Sequence, residues 1–267
     1  MKAWLRAAAL AVLPWGCAVN AGGSEPLVIG ETFSLPSGVL EETRRINVFR
    51  PTIYGERIEG PLPVLYVLDG GINEDFLHIA GLAQISVANG TMRPFLLVGI
   101  ENTARRRDFT GPTDDPEDRK IAPRVGESAR FRRFLRDELF AEIARRYDIT
   151  AERAIVGESL AGLFVVETLL LEPDMFSTYI AVDPSLWWNR GGLVKHAAER
   201  LPQLSGKEVK VFIAAGRELA ASAEMSEFTA SMRKLRWRYH PLPEETHATI
   251  YHPAAMAAFR SVLAPAR

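Results

Sequence analysis

Short apolar, β-branched runs alternate along the chain with longer stretches in which apolar residues return every three or four positions. The runs Arg45–Arg50, Val64–Leu68, Phe95–Ile100, Ala154–Val156, Tyr179–Val182, Val209–Ala214 and Trp237–Pro241 read as strands. Ser128–Tyr147, Leu160–Leu171, Leu193–Leu201, Glu224–Arg236 and Ala254–Leu263 read as helices. In the first of these helices Phe131, Leu135, Leu139, Ile143 and Tyr147 make one apolar stripe, the mark of a core-facing side. Strand and helix signals in alternation predict an α/β fold with a mostly parallel central sheet flanked by helices. One segment breaks the rhythm. Asn102–Glu127 is polar, rich in Pro, Asp and Arg, and too long for a routine connection. It follows the strand Phe95–Ile100 and so emerges at the C-terminal edge of the sheet, where α/β folds bind ligands. It is expected to be a lid-like loop on a single domain.

The N-terminus follows a different logic. Lys2 and Arg6 flank the apolar run Ala7–Leu13, and small residues follow, ending in Val19-Asn20-Ala21. A positive start, an apolar middle and small residues before a cleavage point describe a secretory signal peptide, residues 1–21. The apolar run is too short to span a bilayer, and no membrane span is expected. Residues 22–267 then form the single domain, placed in the periplasm or outside the cell. Cys17, after Gly16, opens an alternative lipoprotein reading. It is also the sole cysteine, so cleavage after Ala21 removes every thiol and every possible disulfide. Neither a metal nor another cofactor is expected. The formal net charge of -1 over 267 residues argues against a nucleic-acid partner. The clustered arginines at Arg105–Arg107 and Arg130–Arg136 lie among acidic residues and fit a solvated face.

Candidate chemistry centres on Gly157-Glu158-Ser159-Leu160-Ala161-Gly162, set between a predicted strand and a predicted helix. That is the sequence form of a nucleophile elbow: strand, sharp turn bearing a serine, helix. The turn brings its flanks together, so small residues are needed on both sides of Ser159. Ala161 stands where a second glycine is usual. The alternative, Ser159 as an ordinary helix N-cap, needs no partner residues. A nucleophilic serine needs a base with a pKa near neutrality, hence a histidine, and an acid to orient it. In this fold they follow the serine in the order acid, then histidine. His247 lies in the polar loop between the last strand and the last helix, whereas His240 falls within a strand and His252 at a helix start. The acid is expected at Glu218, in the turn after Val209–Ala214, with Asp183 as the alternative one strand earlier. The two oxyanion donors are expected to be the backbone N–H groups of Leu160 and of Gly71, in the turn Asp69-Gly70-Gly71.

These pieces together resemble the "putative esterase" family of α/β-hydrolases, which contains esterase D, bacterial siderophore esterases and the antigen 85 type proteins. The matching segments are Leu65–Gly70, Val98–Thr103 with Arg105, Arg107, Asp108 and Thr110, Gly157–Phe164, Pro184–Asn189 and Glu245–Ala248. The resemblance implies an α/β-hydrolase fold and a serine hydrolase that cleaves carboxylic esters through an acyl-enzyme on Ser159. It also implies His247 as base, and an acid near Gly216-x-Glu218 that some siderophore esterases lack. The partner expected is a small-molecule ester. Trp187 and Trp188 are candidates for an apolar or aromatic wall, and Asn102 and Arg107 for contacts to a polar part of the substrate. A siderophore ester is the leading expectation. Acyl transfer on the same fold and a non-catalytic binding protein are the alternatives.

Overall fold

The computed structural model describes residues 24–204, 206–232 and 237–266. The expected signal peptide, with Cys17, lies outside the described residues. Eight strands form one sheet: β1 (Glu31–Ser37), β2 (Glu42–Phe49), β3 (Leu62–Val67), β4 (Leu96–Ile100), β5 (Ile149–Glu158), β6 (Thr178–Val182), β7 (Lys210–Ala215) and β8 (Trp237–Pro241). Their spatial order is β1-β2-β4-β3-β5-β6-β7-β8. β1 pairs antiparallel with β2, and β2 antiparallel with β4; every pairing from β4 onward is parallel. β3, β4, β6 and β7 are buried over nearly their whole length, and β5 over Ala154–Gly157, which is why they read as continuous apolar runs rather than alternating ones.

The helices are α1 (Phe76–Ala88), α2 (Arg105–Asp108), α3 (Ser128–Phe134), α4 (Phe140–Arg146), α5 (Leu160–Leu171), α6 (Trp188–Lys195), α7 (Ala197–Arg200), α8 (Arg217–Ala220), α9 (Ala223–Met232) and α10 (Tyr251–Val262). They cover both faces of the sheet. On one face α1 and α10 bury Ile79, Ala83, Ala255 and Phe259 against Leu65, Val156 and Phe212. On the other, α3, α4 and α5 bury Phe131, Phe134, Ile143, Phe164 and Leu169 against Tyr66, Val98 and Ile155. None of these helices is long and apolar enough to cross a membrane.

Two of the longer elements escaped the sequence pattern, besides the single-turn helices α2 and α8. β1 is an antiparallel edge strand, mostly exposed, with only Phe33 and Leu35 reaching the core on alternate positions. α1 carries apolar residues on nearly every side, Leu77 and Ile85 exposed and Ile79 and Leu82 buried, so its period is blurred. The helix expected over Ser128–Tyr147 is interrupted by a π turn at Leu135–Leu139. Its stripe repeats every four residues, each step overshooting a full α-helical turn by about 40°. The wider π turn absorbs that drift and keeps Phe131, Leu135, Leu139 and Ile143 all buried.

The segment 102–127 is fastened down instead of hanging as a lid. Arg107, Asp108, Phe109, Thr110 and Asp118 are buried within it. Arg107 pairs with Glu42 and Asp108 at 2.7 Å each, and the fully buried Arg44 of β2 pairs with Asp108 and stacks over Phe131. Trp188 donates its indole N–H to the carbonyl of Gly111 at 2.9 Å. Long polar segments are affordable in a compact domain when buried charges find partners of opposite sign inside it. Burial pushes the Glu42 carboxyl up, but hydrogen bonds from Arg107 and Thr103 and the charge of Arg44 outweigh it and hold the pKa at about 2. A depressed carboxyl contributes stability that is complete above its ordinary value of 4.5 and is lost as pH falls toward the folded value. Glu42→Gln is therefore expected to lower Tm at pH 7 and to flatten the decline of Tm between about pH 5 and pH 2. Parallel Tm-against-pH curves for the variant and the parent would show that the network stores no such stability.

Candidate active site

Ser159 stands between the end of β5 and the start of α5, with φ 61° and ψ -122°. A side chain at positive φ is strained, and such residues cluster where a turn must aim a group. The neighbours explain how the turn closes. A Cβ on Gly157 would come within 2.8 Å of Ala161, both backbone and Cβ. The backbone of residue 161 alone is too close, so position 157 must lack a side chain whatever stands at 161, and Gly157 does. This leaves room for Ala161, so its departure from the usual glycine is sterically absorbed. Gly162 is tight as well, since a Cβ there would meet the carbonyl of Val182 at 3.0 Å. The Ser159 N–H donates to that same carbonyl, and the Ser159 carbonyl accepts from Ser185. The elbow is thus fixed to β6, not only to its own strand.

His247 lies in the turn between β8 and α10, as its place in the sequence predicts. The N–H groups of Thr249 and Ile250 donate to the carbonyl of Thr246 and close that turn. His247 Nε2 is 3.0 Å from Ser159 Oγ, and Nδ1 is 2.5 Å from Asp183 Oδ2. The carboxylate expected at Glu218 is not the one against the histidine. Glu218 is the second residue of the single turn α8 and is exposed. Its neighbour Arg217 has a different part, donating its backbone N–H to Glu245 and its guanidinium to Pro243, which braces the His247 loop. Asp183 follows β6 at φ 42° and is nearly buried. Its Oδ1 accepts the N–H of Gly216 at 2.7 Å, leaving Oδ2 for His247. The alternative acid therefore stands against His247 Nδ1, held there by the N–H of Gly216 at the neighbouring strand end.

The expected oxyanion donors divide. Leu160 is the first residue of α5, so its N–H has no acceptor within the helix and is available. The N–H of Gly71 is engaged, donating to Glu74 Oε2 at 2.7 Å. Asn102 belongs to the same polar knot, bonding through Nδ2 to Asp69 and to Glu74 Oε1. Arg105 grips Asp69 with both arms, at 2.7 and 2.8 Å. Asn102 and Arg107 were expected to face substrate; here both hold the scaffold, and Arg107 is buried between Glu42 and Asp108. The tryptophans also part company. Trp188 is core, 3% exposed, while Trp187 is 49% exposed two residues after Ser185.

Two residues near the nucleophile escaped the sequence reading. Ser185 Oγ lies 3.4 Å from Ser159 Oγ. Glu158 Oε1 lies 3.4 Å from His247 Nε2. Neither departs from an ordinary serine or glutamate in its local sequence, although Glu158 adjoins the nucleophile. The surroundings are acidic. Burial pushes the Asp75 carboxyl up to about 6, assisted by the charges of Asp69 and Glu74 and opposed by Arg105. The His247 imidazole is raised above its ordinary value, first by its bond to Asp183, with burial opposing and Glu158 adding. The arrangement can pass a proton from a serine hydroxyl to an imidazole and stabilise the resulting imidazolium from its far side.

Comparison with known proteins shows the family. The profile of the "Putative esterase" family matches residues 37–265. The ferri-bacillibactin esterase BesA of Bacillus subtilis is 35% identical over 216 residues, covering 74% of this chain and 74% of the relative. An IroE-like serine hydrolase from Shewanella oneidensis superposes with a TM-score of 0.76 at 28% identity, covering 88% of this chain and 80% of that one. The BES protein from Bacillus cereus shares the fold, with a TM-score of 0.77 at 22% identity over 91% of this chain and 98% of that one. A family match over nearly the whole folded chain, carried on an α/β-hydrolase sheet, makes this protein a member of the "Putative esterase" family of α/β-hydrolases, a serine-type carboxylic ester hydrolase.

Proposed function

We propose that the protein hydrolyses carboxylic esters through an acyl-enzyme on Ser159, with His247 as the base and Asp183 orienting it. The observation that carries this reading is the continuous chain from Ser159 Oγ through both nitrogens of His247 to Asp183, at 3.0 and 2.5 Å. Ser159 Oγ attacks the ester carbonyl as its proton moves to His247 Nε2. The oxyanion is received by the N–H of Leu160; that of Gly71 can join only when Glu74 turns away. His247 then returns the proton to the departing alkoxide, and water repeats the sequence in reverse to free the acid. Neither metal nor other cofactor enters these steps.

The substrate class we propose is a siderophore ester, met in the periplasm or outside the cell. The support is the 35% identity to a relative named for a ferri-siderophore, together with the exposed indole of Trp187 on the loop that carries Asp183 and Ser185. An exposed indole beside a nucleophile offers a flat wall to an aryl group. Arg105 and Arg107 are spent on internal carboxylates, which leaves Arg106 as the exposed member of that cluster. A panel of cyclic siderophore lactones, short-chain p-nitrophenyl esters and glycolipid acyl donors tests the proposal. The lactones are expected to lead in kcat/KM by about tenfold or more. Equal or better turnover of short-chain esters would leave a general carboxylesterase.

A further inference from the structure

Glu158 is the last residue of β5 and the neighbour of the nucleophile. Its side chain is largely buried, and its Oε1 approaches His247 Nε2 at 3.4 Å, the same ring atom that faces Ser159 Oγ at 3.0 Å. With Nδ1 bonded to Asp183, a neutral imidazole presents a lone pair at Nε2, which suits the serine hydroxyl but repels a carboxylate. An imidazolium presents N–H there, which attracts the carboxylate. We infer that Glu158 is a positioning residue for His247, a second carboxylate on the Nε2 edge that favours the imidazolium and sets the acidic limb of the pH–rate profile. The inference rests on the serine-esterase reading and deepens it.

The proton count is simple. One proton leaves Ser159 Oγ as the Oγ–carbon bond forms, resides on Nε2, and leaves with the alkoxide; Glu158 supplies only charge. The groups facing the pair come from four other elements. Asp183 lies on the Nδ1 side, Asp69 and Asp75 come from the turn after β3, Arg105 from α2, and Tyr251 from α10. Burial pushes the Glu158 carboxyl up to about 7, with the charges of His247 and Arg105 opposing and those of Asp75 and Asp69 adding. The charge on each of Glu158 and His247 therefore favours the charge on the other. The sign follows directly. An anion beside Nε2 makes the imidazolium harder to deprotonate, so the free base form, and with it activity, emerges at higher pH.

The test is the pH dependence of kcat/KM with p-nitrophenyl acetate for the parent, Glu158→Gln and Glu158→Asp. Glu158→Gln keeps the shape and removes the charge, and its acidic limb is expected to move down by about one pH unit. Its kcat at the optimum falls several-fold while KM stays put, because the lost charge acts on the imidazolium and not on substrate binding. Glu158→Asp retains charge at a longer gap and moves the limb part of the way. A limb that superimposes on the parent's overturns the inference. Should Glu158→Gln not fold, Glu158→Asp decides, since an unmoved limb there overturns it equally. An inactive parent would remove the serine-esterase reading itself, a different result from an active parent with an unmoved limb.

Discussion

Replacing Ser159 with alanine is expected to lower kcat for a p-nitrophenyl ester by about a thousandfold or more. The Ser159 hydroxyl is the one that faces His247 Nε2, at 3.0 Å, whereas the hydrogen-bond partner of Ser185 Oγ is Ser159 Oγ, 3.4 Å away. Stability is expected to change little, because alanine adopts the same φ of 61° at the same cost. Ser159→Gly separates strain from chemistry. It removes the hydroxyl and also relieves the positive φ, so it should be equally inactive and measurably more stable. Kinetics and thermal melts on the two variants check both statements. Retained hydrolysis in either would sink the assignment of Ser159. A fluorophosphonate probe gives the complementary readout, and a folded parent that takes no label on Ser159 would point instead to a non-catalytic binding protein.

Asp183→Asn is expected to reduce kcat by about 10³ to 10⁴ while Glu218→Gln leaves it unchanged. The amide can still accept from the Gly216 N–H, so the loop geometry survives. What is lost is the charge facing His247 Nδ1, and with it both the correct tautomer and the stabilised imidazolium. The bond from Asp183 is the largest influence raising the His247 imidazole, so its removal also frees the base form at lower pH. Activity that remains in Asp183→Asn but disappears in Glu218→Gln would reinstate the acid expected from strand counting. Full activity in both would mean that a Ser159–His247 pair suffices.

The contrast between those two carboxylates marks where legibility ended. Strand counting locates a loop, and both loops do meet at the site: Gly216, two residues before Glu218, donates to Asp183. Counting does not say which side chain turns inward. Glu218 is carried outward by the single turn α8, whereas Asp183, at φ 42°, is aimed by a donor from the adjacent strand end. Arg107 and Asn102 follow the same rule. Each is a polar residue in the segment at the ligand-binding edge, yet Glu42, Asp69 and Glu74, distant in sequence, have claimed them, with Asp108 beside Arg107 adding a second partner.

By itself the chain determined the alternation that makes the parallel sheet, the small residues that make the elbow, and the one histidine placed in the loop after the last strand. These show in local sequence: strands buried on both faces are continuous apolar runs, and a tight turn forces Gly157 and tolerates Ala161. Only the tertiary structure decided which acid stands against His247 Nδ1, which arginines are buried in ion pairs, which tryptophan is exposed, and that Glu158 approaches His247 Nε2. Each of those depends on a partner brought in from another element, at hydrogen-bond or ion-pair distance, and charge pairing of that range is set by side-chain direction in space, which residue order does not carry.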